Sequence, residues 1–525
     1  MSGDRPLRPR APRHGAVPLA SGHLARLGKH SSVLLVGNLL SRGVGLILIP
    51  LYTGKFEHTA QFNYWESLIL ASTLLSMVSA HGITAALMWT LKTGGRGGGG
   101  ELTGEAQQRA VSAAMGWVLL SAGVFCGGAA LAAGPFAEGV LNTTGYAAPL
   151  ALLLLSQGLR VATYPAEGVL KLRFQTVPVL LMSFGEFLIQ IVGTVLALVV
   201  FETGLEGMAW AALAAAMVRF VLGLIWLPEM RSPRIDWPTV APMVSYGLPL
   251  MPGAVASMVL SLSDRWFFNF FGMAGDGGLY AFGDKWARLV EMVLITPLVA
   301  MWPAVYFNIA KDDDAPKQFG RVATLWVGIG GLFAFVLTMA GPALTALFDT
   351  SDGDLYAGAA AAIGVLTAGY VVLGLVEVAR VGFAITGRTR RTGFAMVVAA
   401  GANIGLNAWL IPQLGMMGAA WATLLSYVLA LLLVLYLTRN VYPQEWEWGR
   451  LAWAGGVLVA AAWAVDAFGP AAGTVPGASL RFGAVLAVPA FLLATGFLTA
   501  EERAAGGELL RSLPGRLRDR IRGNG

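Results

Sequence analysis

Seven basic and six acidic side chains stand inside stretches otherwise built from Leu, Ala, Val and Gly. The basic ones are Arg42, Arg160, Arg219, Arg265, Lys285, Arg288 and Arg380; the acidic ones are Glu66, Glu186, Asp264, Asp284, Glu291 and Glu377, with Glu167 at the edge of such a stretch. An ionised group in hydrocarbon costs several kcal/mol unless it is paired or wet, so this number of them predicts a polar cavity inside an apolar protein. Arginines facing such a cavity suit phosphate or pyrophosphate, because the guanidinium fork offers paired donors. A carrier of organic cations would need carboxylates and aromatics in excess. The slight basic surplus here favours an anionic substrate.

Spacing groups these residues further. Arg42 lies one helical turn after Asn38, so both share a face, and Gly37, Gly43, Gly45 and Pro50 make their helix deformable. Asp264-Arg265 follows a similar Gly247, Pro249, Pro252, Gly253 run. Asp284, Arg288 and Glu291 fall at i, i+4 and i+7, which fits an ion-pair ladder and a binding face equally well. Glu377 and Arg380, three apart, can be a structural pair. Arg160 has no carboxylate within one turn, which makes it the better candidate for an external anion. Glu66 and Arg219 read as groups near the interface whose heads reach water. The expected substrate-binding set is therefore Asn38, Arg42, Arg160, Arg265, Lys285, Arg288 and Arg380. Asp264, Glu291 and Glu377 are candidates for ion coupling.

Other chemistries are poorly supplied. One cysteine, Cys126, and five histidines exclude a disulfide framework and leave little for a metal, and neither a cofactor nor a catalytic group is expected. The Gly-rich run from Gly94 to Gly100 reads as a flexible loop with nothing to cradle a phosphate. The net charge of +6 is spread over alternate loops rather than gathered for nucleic acid.

The elements that must position these groups are membrane helices. Hydrophobic residues make up 56% of the 525 positions and charged ones 13%, against about a quarter charged in a soluble chain. Apolar runs of roughly 20 residues recur, each long enough to cross the hydrocarbon. They are continuous rather than alternating, which selects helices over a barrel. About fourteen spans are expected. Residues 1–29 form a basic tail, 30–230 a first six-helix lobe and 231–440 a second; 441–500 hold two added helices, and 501–525 form a basic amphipathic tail. Loops after even-numbered spans carry Lys92, Lys171, Arg173, Arg231, Lys311, Arg388, Arg390 and Arg439, whereas those after odd-numbered spans carry Lys55 and Arg481 beside the acidic Glu138, Glu202, Asp276 and Asp349. The positive-inside bias thus places both termini in the cytoplasm. Gly204-Leu-Glu-Gly-Met-Ala-Trp-Ala-Ala-Leu213 recurs as Gly415-Met-Met-Gly-Ala-Ala-Trp-Ala-Thr-Leu424, with Trp210 and Trp421 in register. Six spans per unit is even, so the halves share one orientation about an axis along the membrane normal, with a central site between them.

The chain resembles the polysaccharide transporter branch of the multidrug/oligosaccharidyl-lipid/polysaccharide exporter superfamily. The resemblance rests on Gly37-Asn-Leu-Leu-Ser-Arg42 leading to Pro50-Leu-Tyr-Thr53, on Tyr246-Gly-Leu-Pro-Leu250 with Asp264-Arg265 and Gly278-Leu-Tyr280, and on the Gly415–Leu424 segment. It covers residues 30–440. It departs at Gln61-Phe-Asn-Tyr-Trp65, where members often carry a glycine step. The lipid II flippases are similar in span count and in Ser41-Arg42, but follow with a second basic residue where this chain has Leu46-Ile-Leu-Ile49. The resemblance implies a V-shaped, two-lobed carrier in the bacterial cytoplasmic membrane, working by alternating access. Its implied substrate is an undecaprenyl-pyrophosphate-linked oligosaccharide, and its implied partners are membrane lipids, polysaccharide polymerases and glycosyltransferases. The rivals are a cation-coupled drug antiporter or a lipid II flippase on the same fold and, from another class, a membrane polymerase or ligase. The last needs a catalytic grouping on a sizeable outer loop, and the outer loops hold no Ser/His or Asp/His set.

Overall fold

In the computed structural model the described residues are 47–80, 82–94, 100–173, 175–248, 251–350, 355–386, 388, 390–499 and 502–503. Asn38, Arg42, most of the glycine-rich run at 94–100 and both basic tails, apart from residues 502–503, lie outside them. Every regular element among the described residues is helical. Ten helices are long and apolar enough to cross a membrane: Thr59–Thr93, Gly104–Leu131, Thr176–Val200, Gly204–Trp226, Ala315–Phe348, Ala357–Ile385, Arg390–Leu414, Met416–Thr438, Trp448–Phe468 and Val475–Ala494.

Three more of the fourteen expected ranges hold broken helices rather than single rods. Ala147–Ala162 is followed by Tyr164–Leu172, where Pro165 starts the second piece. Residues 237–270 divide into Trp237–Gly247, Met251–Leu262 and Asp264–Phe270. Residues 274–309 divide into Ala274–Ala287 and Thr296–Ile309, with a wide helical turn at Glu291–Ile295. The first expected span lies mostly outside the described residues, which retain its end as Ile49–Lys55.

For the site, the helices are numbered α1 (Ile49–Lys55), α2 (Thr59–Ala80), α3 (Ala147–Ala162), α4 (Tyr164–Leu172), α5 (Thr176–Val195), α6 (Gly204–Trp226), α7 (Asp264–Phe270), α8 (Ala274–Ala287), α9 (Ala360–Ala379), α10 (Arg390–Leu414) and α11 (Met416–Thr438). The packing of α5 on α6, α3 on α6 and α2 on α3 recurs as α10 on α11, α9 on α11 and α8 on α9. The repeated sequence motif has one local meaning in both halves. Gly204 and Gly415 take positive φ of 58° and 56° at the start of 23-residue helices, Gly204 as the first residue and Gly415 as the one before it, a conformation in which a Cβ would be strained. Trp210 and Trp421 both face outward.

The halves meet where α2 lies along α8. No side chain fits at two points of this contact. A Cβ on Gly278 would strike the Thr59 carbonyl, and one on Gly277 would strike the Asn63 side chain. Asn63 Nδ2 donates to Asn269 Oδ1 at 2.6 Å, and Asn269 Nδ2 donates to Ser67 Oγ at 2.9 Å. Phe62 packs against Phe282 and Tyr356. At the same end Thr53 Oγ1 donates to the Phe348 carbonyl and Thr350 Oγ1 to the Pro50 carbonyl, pinning α1 to the second half.

Candidate functional site

One turn deeper than Asn63, the seam becomes charged. Lys285 Nζ of α8 stands 2.6 Å from Glu66 Oε1 of α2, and Arg265 Nε of α7 stands 3.9 Å from Glu66 Oε2. Arg265 Nη2 donates to Asp284 Oδ2 at 2.8 Å; Arg288 Nε donates to the same oxygen at 2.7 Å, and Tyr370 donates to Oδ1 at 2.8 Å. Arg288 also approaches Glu291 at 3.4 Å. Two aromatic faces support the cations, Tyr280 under Arg265 and Tyr370 under Arg288. Arg265 is 1% exposed, yet its Nε and Nη1 have no hydrogen-bond partner among the described residues. Such buried donors are costly to leave unmade.

Asp264 precedes Arg265 but does not pair with it among the described residues. Adjacent helical residues point about 100° apart and cannot share a face. Arg265 turns to the seam, while fully buried Asp264 turns to its own half. There it accepts from Tyr280 at 2.5 Å and from Asn407 Nδ2 at 2.6 Å, with Thr423 Oγ1 at 3.4 Å. Neighbours in sequence, the two are thus turned apart, and neutral donors bind Asp264. Asn403 and Asn407, four apart on α10, complete this polar patch. Sequence reasoning centred on ionisable residues misses them, although two amides one turn apart in an apolar span are a visible signal.

A second cluster belongs wholly to the first half. Arg160 Nε of α3 stands 2.8 Å from Glu186 Oε1 of α5, off the N–H axis, so it is a charge contact rather than an aligned hydrogen bond. Arg219 of α6 pairs with Glu186 Oε2 at 2.8 Å and with Glu167 of α4, and donates to Thr163 at 3.2 Å. Two expectations are corrected here. Arg160 does have a carboxylate partner, on a neighbouring helix that spacing along its own helix cannot show. Arg219 is buried between two carboxylates, not reaching for the interface. Glu66 is likewise an inward partner of Lys285 and Arg265.

A cavity of about 200 Å³ joins the two clusters, lined by Tyr52, Trp65, Glu66, Gln157, Arg160, Glu186, Gln190 and Lys285 among others. It brings Arg160 and Lys285 to one space. Arg265 lies behind Glu66, and Arg288 stands farther along α8's continuation; neither lines that space. Arg380 pairs with Glu377 within its own segment, apart from both clusters. Among the described residues no cluster of His, Cys, Asp and Glu could hold a metal.

Ten helices able to cross a membrane, with broken helices beside them and a charged cavity where Lys285 of the second half meets the first, define an all-helical membrane protein. Residues 27–306, just over half of the chain, match the family described as polysaccharide biosynthesis protein, and the chain belongs to that family. Among solved structures it is similar to "Lipid II flippase MurJ, inward closed conformation", with a TM-score of 0.72 and 13% identity over 89% of this chain and 99% of that one. It is also similar to a ligand complex of the MATE multidrug transporter DinF-BH, with a TM-score of 0.56 and 18% identity over 84% of this chain and all of that one. Among curated proteins none matches the sequence.

Proposed function

We propose that the chain is a flippase that carries an undecaprenyl-pyrophosphate-linked oligosaccharide across the bacterial cytoplasmic membrane for surface polysaccharide assembly. Both termini face the cytoplasm in this reading. The observation that carries it is the cavity of the first half into which Lys285 of the second half reaches, so that Arg160 and Lys285 bring cationic heads to it while Arg265 keeps buried donors just behind. The guanidinium and ammonium groups bind the pyrophosphate, and Gln157 and Gln190 offer amides to the first sugar. The two halves, rather than any covalent step, move the head group. A pyrophosphate head carries about two negative charges, each worth about 2.3 kcal/mol per 100 mV, so a negative interior drives it outward.

A strain lacking the protein is expected to lose a surface polysaccharide and to accumulate its lipid-linked precursor, measured by glycan analysis and lipid mass spectrometry. Intact surface glycans with raised sensitivity to cationic drugs would establish the antiporter instead. Ion coupling has one observation in its favour: Asp264 is fully buried among neutral donors. A sodium or proton requirement that Asp264→Asn abolishes would assign it that role.

A further inference from the structure

Glu66 faces two cations of the kind a phosphate would pair with. Its two oxygens face Lys285 at 2.6 Å and Arg265 at 3.9 Å, and it lines the cavity that a head group would enter. Among the described residues the seam cluster is neutral as it stands, with Arg265, Lys285 and Arg288 balanced by Glu66, Asp284 and Glu291. An incoming anion therefore gains little unless a carboxylate withdraws.

The three carboxylates are not equivalent. Asp284 is 1% exposed and held by two guanidinium groups and the Tyr370 hydroxyl, all from its own half. Glu291 follows Arg288 on the same segment and moves with it. Glu66 alone of the three comes from the first half, on the helix whose other contacts close the seam through Thr59, Asn63 and Phe62. Exchange at Glu66 is thus also exchange between halves. Loss of its ion pairs removes the charged member of that contact and leaves the Asn63–Asn269–Ser67 hydrogen bonds, the Phe62 packing and the Thr53 and Thr350 hydrogen bonds to hold it.

We propose that Glu66 is an internal stand-in for the substrate's anionic head group: it holds the halves together across α2 and α8 until a pyrophosphate takes Lys285 and Arg265 from it and releases the seam. This rests on the flippase reading above and adds to it a route by which binding unlocks movement. A ligand without the anion leaves Glu66 in place and the seam shut, so empty cycles are suppressed.

The test uses the full chain in nanodiscs of phosphatidylethanolamine and phosphatidylglycerol, with inorganic pyrophosphate as the probe. Spin labels at Thr144→Cys and Leu414→Cys, in a Cys126→Ser background, report the separation of the halves at the seam's Asn63 end. Wild type is expected to lengthen that distance only when pyrophosphate is added. Glu66→Gln is expected to show the long distance without ligand and to bind pyrophosphate about tenfold more tightly. Glu66→Asp keeps the charge one methylene farther away and is expected to tighten binding about threefold; it serves alone if the glutamine variant does not fold. Unchanged affinity and distances in both Glu66 variants, with binding lost in Lys285→Gln, would overturn the stand-in and leave the substrate reading intact. Pyrophosphate binding that survives in Lys285→Gln would overturn the substrate reading itself.

Discussion

The two charged clusters use the same chemistry and differ in who owns the partners. Around Arg219, the partners belong to the first half: Glu167, Glu186, Thr163 and Ser183 come from α4, from α5 and from the break between α3 and α4. Around Lys285, the carboxylate comes from the opposite half. Rearrangement between halves leaves the first cluster untouched and must break or remake the second. A buried pair within one rigid unit serves architecture, and a buried pair across a moving seam can serve as a latch. Arg160 belongs to both descriptions, since it contacts Glu186 inside its own half and also lines the first-half cavity that Lys285 of the other half enters.

Substitutions should separate these roles. Arg219→Ala removes the common partner of two buried carboxylates, which keep only Arg160 and Lys171, and is expected to cost about 2–3 kcal/mol of stability through its lost charged hydrogen bonds. Unfolding in bilayers measures this, and a variant as stable as wild type would show that the cluster is hydrated rather than sealed. Lys285→Gln is expected to behave in the opposite way. Glu66 still faces Arg265, so stability should fall by only about 1–2 kcal/mol, while export per folded molecule should fall about tenfold because the cavity loses a cation that meets phosphate. Equal ratios of stability loss to transport loss in the two variants would erase the distinction between architecture and latch.

Much of the architecture was legible in the chain, and the site only partly. Continuous apolar runs announce helices because lipid offers the backbone no other partner, and Gly204 and Gly415 mark helix starts because only glycine sits easily at a positive φ. Periodicity on a single helix also showed that Asp284, Arg288 and Glu291 share a face. It could not show that Glu186 reaches Arg160, or that Glu66 reaches Lys285, since those contacts depend on how separate helices are set against one another. The break at Thr163 likewise arises beside Pro165, whose presence was plain but whose effect on span continuity depends on the neighbours that reclaim the freed backbone groups.

The smallest effect is expected at a third pair that lies in neither cluster. Glu377 and Arg380 face each other three residues apart at the end of α9, and the Arg380 side chain is 39% exposed. Tyr370, the hydroxyl that touches Asp284, is seven residues earlier on the same helix, about 10 Å along its axis. A local pair with a half-exposed cation is worth less than about 1 kcal/mol, so Glu377→Gln should leave stability near wild type. It should also leave transport unchanged if the membrane potential supplies the driving force. Proteoliposomes carrying a potassium-diffusion potential of either sign, without a pH or sodium gradient, provide the measurement. An inside-negative potential is expected to speed outward flipping equally in wild type and in Glu377→Gln. Rates indifferent to the sign of the potential would reject this view, and a sodium or proton requirement present in wild type but absent from the variant would make Glu377 the coupling group.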